Sequence, residues 1–155
     1  MNILRINPAD TYEVRSKVLR PGLPLSSCKF DSDDEDQTFH LGAFLEGKLV
    51  SVASFYFENH KDIASHEYQY RLRGMATLSE HQGKGMSKAL LRMAFPIIKQ
   101  NLCTILWCNA RTSAEGFYKN VGFTTLSEVF DIEGVGPHVL MSKEIVKQFP
   151  KTKND

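Results

Sequence analysis

Apolar residues alternate with polar ones in some segments of the chain and recur at helical spacing in others. The alternating, β-branched and aromatic segments predict strands at residues 2–6, 38–45, 49–57, 67–78, 102–110, 124–130 and 139–145. Helices are predicted at residues 8–20, after residue 85 and between residues 112 and 122. No internal repeat or low-complexity linker interrupts these segments. We therefore predict one domain at residues 1–149, followed by a loose tail at residues 150–155.

The predicted strand at residues 67–78 alternates over its whole length. One face is predicted to carry Tyr68, Tyr70, Leu72, Ala76 and Leu78. The other face is predicted to carry Glu67, Gln69, Arg71, Arg73 and Thr77. A central strand with a polar second face should border a cleft, so this strand is expected to line a site.

A glycine-containing loop follows this strand and reads QGKGMSK over residues 82–88. Gly83 and Gly85 let the backbone bend tightly and leave N–H groups uncovered by side chains. At a helix N-terminus such groups lack partners and lie at the positive end of the helix dipole, so they attract phosphate. Lys84 and Lys88 add positive charge. The pattern predicts a pyrophosphate cradle, and a plain strand-to-helix turn is the alternative.

Two helices are predicted from this point onward. The helix after the cradle should bury one face, made of Met86, Leu90, Met93 and Ile97. The later helix should begin at a capping box with the sequence TSAE, residues 112–115, and end at Gly122. Its inward face is predicted to carry Ala114, Phe117, Tyr118 and Val121.

Two stretches resemble a known family. Gln82, Gly85 and Ser87 occupy the fixed places of the pattern Gln/Arg-x-x-Gly-x-Gly/Ala, with serine where glycine or alanine is usual. Residues 109–123, NARTSAEGFYKNVGF, end in Phe-Tyr-x-x-x-Gly-Phe. In both blocks, and in their order along the chain, the sequence resembles the GCN5-related N-acetyltransferase (GNAT) family, and the resemblance extends from the first strand to Ile145.

The resemblance implies a fold and an activity. The implied fold class is α/β (α+β), a twisted mixed sheet of six or seven strands with flanking helices, splayed between the fourth and fifth strands. The implied cosubstrate, acetyl-CoA, would lie in the split between the strands that end at Leu78 and Ala110. The implied reaction moves the acetyl group to a primary amine of a small molecule or a protein or peptide.

The resemblance also assigns roles to residues. Tyr118 would protonate the departing CoA thiolate, and a core tyrosine is the alternative. Glu67 and His138 are candidates for the general base, although a salt bridge with Arg71 would equally explain Glu67 and a structural role would explain His138. The implied CoA-binding residues are Met75, Ala76, Thr77, Gln82, Gly83, Lys84, Gly85, Met86, Ser87, Lys88, Asn109, Ala114, Phe117 and Tyr118.

Composition narrows the remaining possibilities. The chain has 155 residues, a net charge of +1 and 24% charged residues, without a basic block that could follow a nucleic acid. No apolar run approaches the ~20 residues that span a bilayer, and no signal segment is expected, so we predict a cytoplasmic protein without nucleic-acid or membrane partners. The cysteines Cys28, Cys103 and Cys108 lack metal-binding spacing, and no metal site is predicted.

The acceptor amine stays open. Acidic residues at positions 31–36 favour a cationic acceptor or a plain solvated loop, whereas Arg71 and Arg73 favour an anionic one. A homodimer formed through exposed late strands is also open. Two other functions remain as alternatives, a CoA-binding regulatory module without turnover and a nucleotide-binding domain of unrelated fold.

Overall fold

Eight strands form one mostly antiparallel sheet in the computed structural model, which describes residues 1–65 and 67–145. The strands are β1 (Asn2–Ile6), β2 (Phe39–Leu45), β3 (Lys48–Phe57), β4 (Gln69–Thr77), β5 (Ile105–Arg111), β6 (Thr124–Thr125), β7 (Phe130–Ile132) and β8 (Gly136–Glu144). They lie in the order β1-β2-β3-β4-β5-β8-β6, and β7 pairs with β8. The predicted tail at residues 150–155, and the last residues of the predicted domain, 146–149, lie outside the described residues.

In the described part of the chain, three α-helices cover the two faces of the sheet. They are α1 (Tyr12–Val18), α2 (Met86–Gln100) and α3 (Glu115–Asn120), and 3₁₀ turns precede the first and third at Pro8–Thr11 and Thr112–Ala114. Arg15 of α1 hydrogen-bonds Ser54 of β3, on the side that we call the α1 face. The other side is the α2 face. Thr77 of β4 lies on it, 3.5 Å from Ser87 of α2, because Thr77 pairs with Ser51, and Ser51 and Ser54 point to opposite sides of β3.

The hydrophobic core contains residues of the sheet and of α2, together with Val14 of α1 and Tyr118 of α3. The residues of α2 that it buries are Met86, Leu90, Leu91, Ala94 and Ile98. The predicted face was therefore wrong at Met93, which is 42% exposed. The helix presents the row of every fourth residue from Met86 to the sheet, and Met93 lies outside that row.

Two other local predictions were wrong. The fifth strand begins at Ile105 and not at Leu102, because Leu102 lies in the turn just after α2, where it has a left-handed conformation (φ 62°) and is exposed. The predicted capping box does not form, because a 3₁₀ turn occupies residues 112–114 and makes Glu115 the first residue of α3. The Glu115 carboxylate instead accepts a hydrogen bond from Thr125 at 2.5 Å.

The strands β4 and β5 are paired only at their first residues. Three parallel pairs join them, and the last is Arg71 with Trp107. Beyond this pair the two strands separate, and β5 continues to pair with β8. This gap matches the predicted splay between the fourth and fifth strands.

A bulge changes the facing of β4 beside the gap. Arg73 pairs with Ser54 and Ala76 with Val52, so β4 has one more residue than β3 between these pairs. Gly74 makes the bulge possible, because its φ of 63° is in the left-handed region. The predicted continuous alternation was wrong: Ala76 shares the α1 face with Arg73, and Thr77 is on the α2 face.

Candidate functional site

The predicted cradle lies at the N-terminus of α2, which begins at Met86 with Gly85 as its N-cap residue. Gly83 and Gly85 both have left-handed φ angles, 76° and 83°, and both are exposed. Within the described residues, no acceptor is found for the backbone N–H groups of residues 83–88. Lys84 and Lys88 are exposed beside this row. These N–H groups and cations can bind a diphosphate.

The cradle is tied to the end of β4 by side chains. The Gln82 side-chain amide donates to the Thr77 carbonyl oxygen at 3.0 Å. The Thr77 hydroxyl lies 2.7 Å from the Ser51 hydroxyl and 3.5 Å from that of Ser87. Gln82 therefore holds the loop against the strand, and the backbone is left to face a ligand.

The gap between β4 and β5 runs from the cradle into the sheet. On one side is the β4 segment Met75, Ala76 and Thr77, which has no partner strand toward β5. On the other side is Asn109 of β5, whose buried Oδ1 atom has no hydrogen-bond partner within the described residues. Leaving a buried carbonyl oxygen unpaired costs about 1–3 kcal/mol, so a ligand N–H in the gap would be stabilising.

Tyr118 lies on the α2 side of this gap. Its side chain packs against Phe117 and Phe123, with ring centroids 5.1 and 5.2 Å away. Its hydroxyl has one partner in the described part of the chain, the Met75 sulfur at 3.8 Å. Burial raises the pKa of Tyr118 well above its ordinary value, so the phenol keeps its proton across the physiological range. Ala114 and Phe117, two further predicted CoA-binding residues, are half-buried nearby.

His138 is a residue of β8 at the open end of the gap, where it pairs with Arg111 of β5. The sequence suggested a loop entering the strand. The side chain is 4% exposed and stacks on Phe130. Its Nδ1 atom lies 2.7 Å from the Gly136 carbonyl oxygen, which can only accept, so Nδ1 carries the proton. Nε2 is therefore the ring nitrogen that could accept a proton.

Glu67 is separated from the other predicted site residues. It precedes β4 at the end where β4 and β5 are paired, and it accepts a hydrogen bond from Thr104 at 2.5 Å. Eight residues of chain separate it from Met75, about 25 Å in a strand. Arg71, its predicted alternative partner, instead pairs with Glu58 at 3.1 Å.

A buried ion pair on the α1 face, which the sequence did not reveal, joins α1 to the acidic segment at residues 31–36. Arg15 donates to Asp33 through both terminal nitrogens, at 2.7 and 3.1 Å, and both side chains are fully buried. Tyr56 donates to the same carboxylate at 2.5 Å. Burial alone would raise the pKa of Asp33, but hydrogen bonds from Arg15, Tyr56 and the Phe30 N–H outweigh it and lower that pKa. The acidic stretch is thus anchored and only partly a solvated loop.

This ion pair continues into a chain of hydrogen bonds to His40. Arg15 donates to the Ser54 hydroxyl at 2.8 Å, and that hydroxyl lies 2.6 Å from His40 Nδ1. His40 Nε2 lies 3.0 Å from the Asp33 carbonyl oxygen, which fixes the proton on Nε2. Burial lowers the pKa of His40. The neutral ring is therefore part of the anchor for residues 29–37.

The three cysteines are free thiols, and all are buried. Burial raises the pKa of Cys108 to about 12 and also raises that of Cys103. Both belong to the hydrophobic core, as predicted. Cys28 lies in a 3₁₀ turn, where its carbonyl oxygen accepts a hydrogen bond from Arg15 at 2.8 Å.

Comparison with known sequences identifies the same family as the motifs described in the sequence analysis. The sequence profile described as "Acetyltransferase (GNAT) family" matches residues 7–123. The "Uncharacterized N-acetyltransferase YitI" of Bacillus subtilis is 36% identical over 145 residues, which are 94% of this chain and 97% of that protein. In the described residues, no helix has the length and apolar character needed to cross a bilayer.

Solved structures share the fold at low sequence identity. The ribosomal-protein-S18-alanine N-acetyltransferase of Escherichia coli superposes with a TM-score of 0.71 at 17% identity, covering 97% of both chains. An aminoglycoside 6'-N-acetyltransferase complexed with coenzyme A has a TM-score of 0.68 at 13% identity, covering 97% of this chain and 100% of the other. At these identities the superpositions show the common fold.

Proposed function

Because the chain belongs to the GNAT family and is therefore an acetyl-CoA-dependent acetyltransferase, we propose that it acetylates a primary amine of a small molecule or peptide by direct attack on the thioester. One spatial arrangement carries the proposal. Free N–H groups at residues 83–88, the gap beside Asn109 and the Tyr118 hydroxyl follow one another from the end of β4 into the sheet. This arrangement suits an elongated ligand with a diphosphate at one end and a sulfur at the other.

The cradle would hold the diphosphate of CoA. Its backbone N–H groups lie at the positive end of the α2 dipole, and Lys84 and Lys88 add charge. Ser87 can donate its hydroxyl to a phosphate oxygen without moving the loop, because its present partner is 3.5 Å away. Gln82 would act indirectly, by fixing the loop on Thr77.

The gap would hold the pantetheine arm. The backbone of Met75, Ala76 and Thr77 forms an inner strand edge, and an extended ligand can pair with such an edge as an added strand. Asn109 Oδ1 would accept a hydrogen bond from an amide N–H of that arm and so gain the partner that it lacks within the described residues. Ala114 and Phe117 would line the arm from the side of α3.

Tyr118 would be the general acid. When bound, acetyl-CoA supplies an activated carbonyl and a thiolate leaving group. The Tyr118 phenol keeps its proton because burial raises its pKa, and its only partner in the described part of the chain is a thioether. It would give this proton to the leaving sulfur and regain one from solvent.

His138 would be the general base. Its Nε2 atom is available because Nδ1–H is held by the Gly136 carbonyl oxygen, and β8 places it beside the end of β5. Glu67 lies too far from Met75 and Tyr118 to act directly. The replacement His138→Gln should lower kcat with little effect on CoA affinity, whereas Glu67→Gln should leave kcat unchanged. Equal losses in the two variants would contradict this assignment.

A thiol-release assay tests the proposal as a whole. Acetyl-CoA should raise the melting temperature of the protein, and free CoA should appear only when a suitable amine is added. Stabilisation by acetyl-CoA without release on any amine would favour a regulatory module that binds CoA. Stabilisation by ATP but not by acetyl-CoA would contradict the assignment of the cradle.

We propose that the reaction takes place in the cytoplasm. Cys28, Cys103 and Cys108 are all free thiols, and free thiols persist in reducing compartments such as the cytoplasm.

A further inference from the structure

We infer that the acceptor carries a carboxylate close to its amine, and that Arg73 and Arg20 bind this carboxylate. The inference rests on the proposed function and names the class of acceptor. It predicts an amino-acid-like acceptor and excludes polycationic amines as preferred substrates.

The acceptor must approach from the α1 face of the gap. On the α2 face, the cradle, α2 and Tyr118 take up the path proposed for CoA. The other face is lined near the bulge by Arg73 of β4 and by Phe30, which packs against the bulge. A Cβ atom added at Gly74 would lie only 3.0 Å from Phe30, so the phenyl ring is in contact with the backbone at this point.

Phe30 is surrounded by guanidinium groups. The Cζ atoms of Arg15, Arg73 and Arg20 lie 4.0, 4.7 and 5.7 Å from the centre of its ring. Arg15 is neutralised by Asp33. For Arg73 and Arg20, no carboxylate lies within salt-bridge distance in the described part of the chain, and Arg20 Nε is buried without a partner. Two uncompensated cations therefore share one aromatic platform.

This arrangement is costly without an anion. Arg73 is half-buried, and burial together with the charge of Arg71 lowers its pKa, although arginine remains charged at any physiological pH. A guanidinium presents two parallel N–H groups that match a carboxylate. A carboxylate at this position would neutralise both arginines, and it would place an adjacent amine next to the gap.

The acidic stretch does not compensate these arginines. Asp33 is taken by Arg15, and Asp34 lies 3.5 Å from Lys29 at the surface. Glu35 and Asp36, with Glu58, line a separate cavity of about 480 Å³ that opens beside the end of β3. If this acidic cavity selected the acceptor, diamines would be preferred over amino acids. The two arrangements therefore predict opposite preferences.

Matched amine pairs test the inference. Each amino acid is compared with the amine that lacks its α-carboxylate, such as lysine with cadaverine and phenylalanine with phenethylamine. Turnover is followed by CoA release, and binding to the CoA-saturated protein is followed by calorimetry. For at least one pair, the carboxylate-bearing member should have a kcat/KM or affinity about tenfold higher or more, because a charge-assisted pair is lost in the other.

Variants locate the effect. Arg73→Gln and Arg20→Gln should each reduce this preference, and Arg73→Lys should restore part of it. Arg5→Gln is the matched control, because Arg5 also lies over a ring, 5.2 Å from the centre of Phe39, but on the edge strand β1. The stabilisation by CoA should be the same in all variants, which shows that they are folded and that the cradle is intact.

The outcomes separate the two proposals. The inference is overturned if no amino acid exceeds its matched amine in turnover or binding, or if Arg73→Gln retains the preference. Turnover of diamines in preference to amino acids would overturn it while supporting the acetyltransferase reaction. Failure of acetyl-CoA to stabilise the protein would instead overturn the proposed function.

Discussion

The hydroxyl of Tyr118 lies 3.8 Å from the sulfur of Met75, beside the gap where β4 and β5 separate. A thioether is a weak hydrogen-bond acceptor, so the phenol is buried without a strong partner in the described part of the chain. Tyr70 is a useful contrast. Its hydroxyl donates to the Gln37 carbonyl oxygen at 2.6 Å and accepts from Asn101 at 2.7 Å, as expected of a structural tyrosine.

Replacement of Tyr118 by phenylalanine should remove activity without removing stability. We expect kcat to fall by about 100-fold or more, the usual contribution of a general acid. The free energy of unfolding should change by less than about 1 kcal/mol, because only a weak bond is lost. The control Tyr70→Phe should lose about 1–2 kcal/mol of stability with less effect on kcat. Steady-state kinetics and thermal denaturation measure both, and full activity of Tyr118→Phe would refute the acid role.

Replacement of Gly85 by alanine should weaken CoA binding. Gly85 and the hairpin residue Gly47 have similar φ angles, 83° and 79°, and open space around both. Alanine should therefore cost each variant a similar amount of stability, about 1–2 kcal/mol. Only Gly85→Ala should reduce CoA affinity, by roughly tenfold or more, because its methyl group would crowd the free N–H groups. Calorimetric titration with CoA gives the comparison, and equal affinities would place the diphosphate elsewhere.

Replacement of Gly74 by alanine should disturb the bulge. Its φ is 63°, and a Cβ atom would lie 3.0 Å from the Phe30 ring and 3.3 Å from Arg15 Nε. Gly22 has a similar φ of 77° but nothing within 4 Å of such an atom. We expect Gly74→Ala to lose about 2 kcal/mol or more of stability and most of its activity. Gly22→Ala should lose less stability and keep its activity, as urea denaturation and kinetics can show.

The stability of the protein should fall in mildly acidic solution because of His40. Its pKa is lowered in the folded state, so below its ordinary value of 6.5 the unfolded chain takes up a proton that the folded protein resists. Stability is therefore complete above about pH 7 and is lost as the pH falls, by at most ~1.4 kcal/mol per pH unit. Asp33 adds a second loss below about pH 4, because its pKa is also lowered.

The variant His40→Gln isolates the first of these losses. The glutamine side chain can still donate toward Asp33 and accept from Ser54, but it does not titrate. Denaturant unfolding between pH 8 and pH 4.5 should show a smaller dependence on pH than the wild type. An unchanged dependence would mean that another group is responsible.

The parts of the site that depend on local sequence could be predicted. Gly83, Gly85 and the amphipathic segment after them specify a loop and a helix start within a few residues, and the structure has both. The strands that precede and follow that helix along the chain were also predicted. The positions of Tyr118 and Asn109 beside the gap followed from a family resemblance, because periodicity alone would have made Tyr118 a core residue.

The parts that depend on distant contacts could not be predicted. Arg15 and Asp33 are 18 residues apart, and Tyr56 is 41 residues from Arg15. In the sequence, Arg15 looks like an exposed helix residue, and Asp33 like a member of a solvated acidic run. The bulge was missed for a related reason. A glycine within an alternating strand does not reveal its φ angle, and one extra residue reverses the facing of every residue that follows.

The separation of β4 and β5 has a consequence for motion. Only three residue pairs join these two strands directly, so the part of the sheet that ends at β4 and the part that begins at β5 are held together at one end of the gap. A ligand bound in the gap would contact both strands where they do not pair with each other. Occupancy of the gap should therefore slow amide hydrogen exchange in both parts of the sheet, and exchange should be faster in the ligand-free protein.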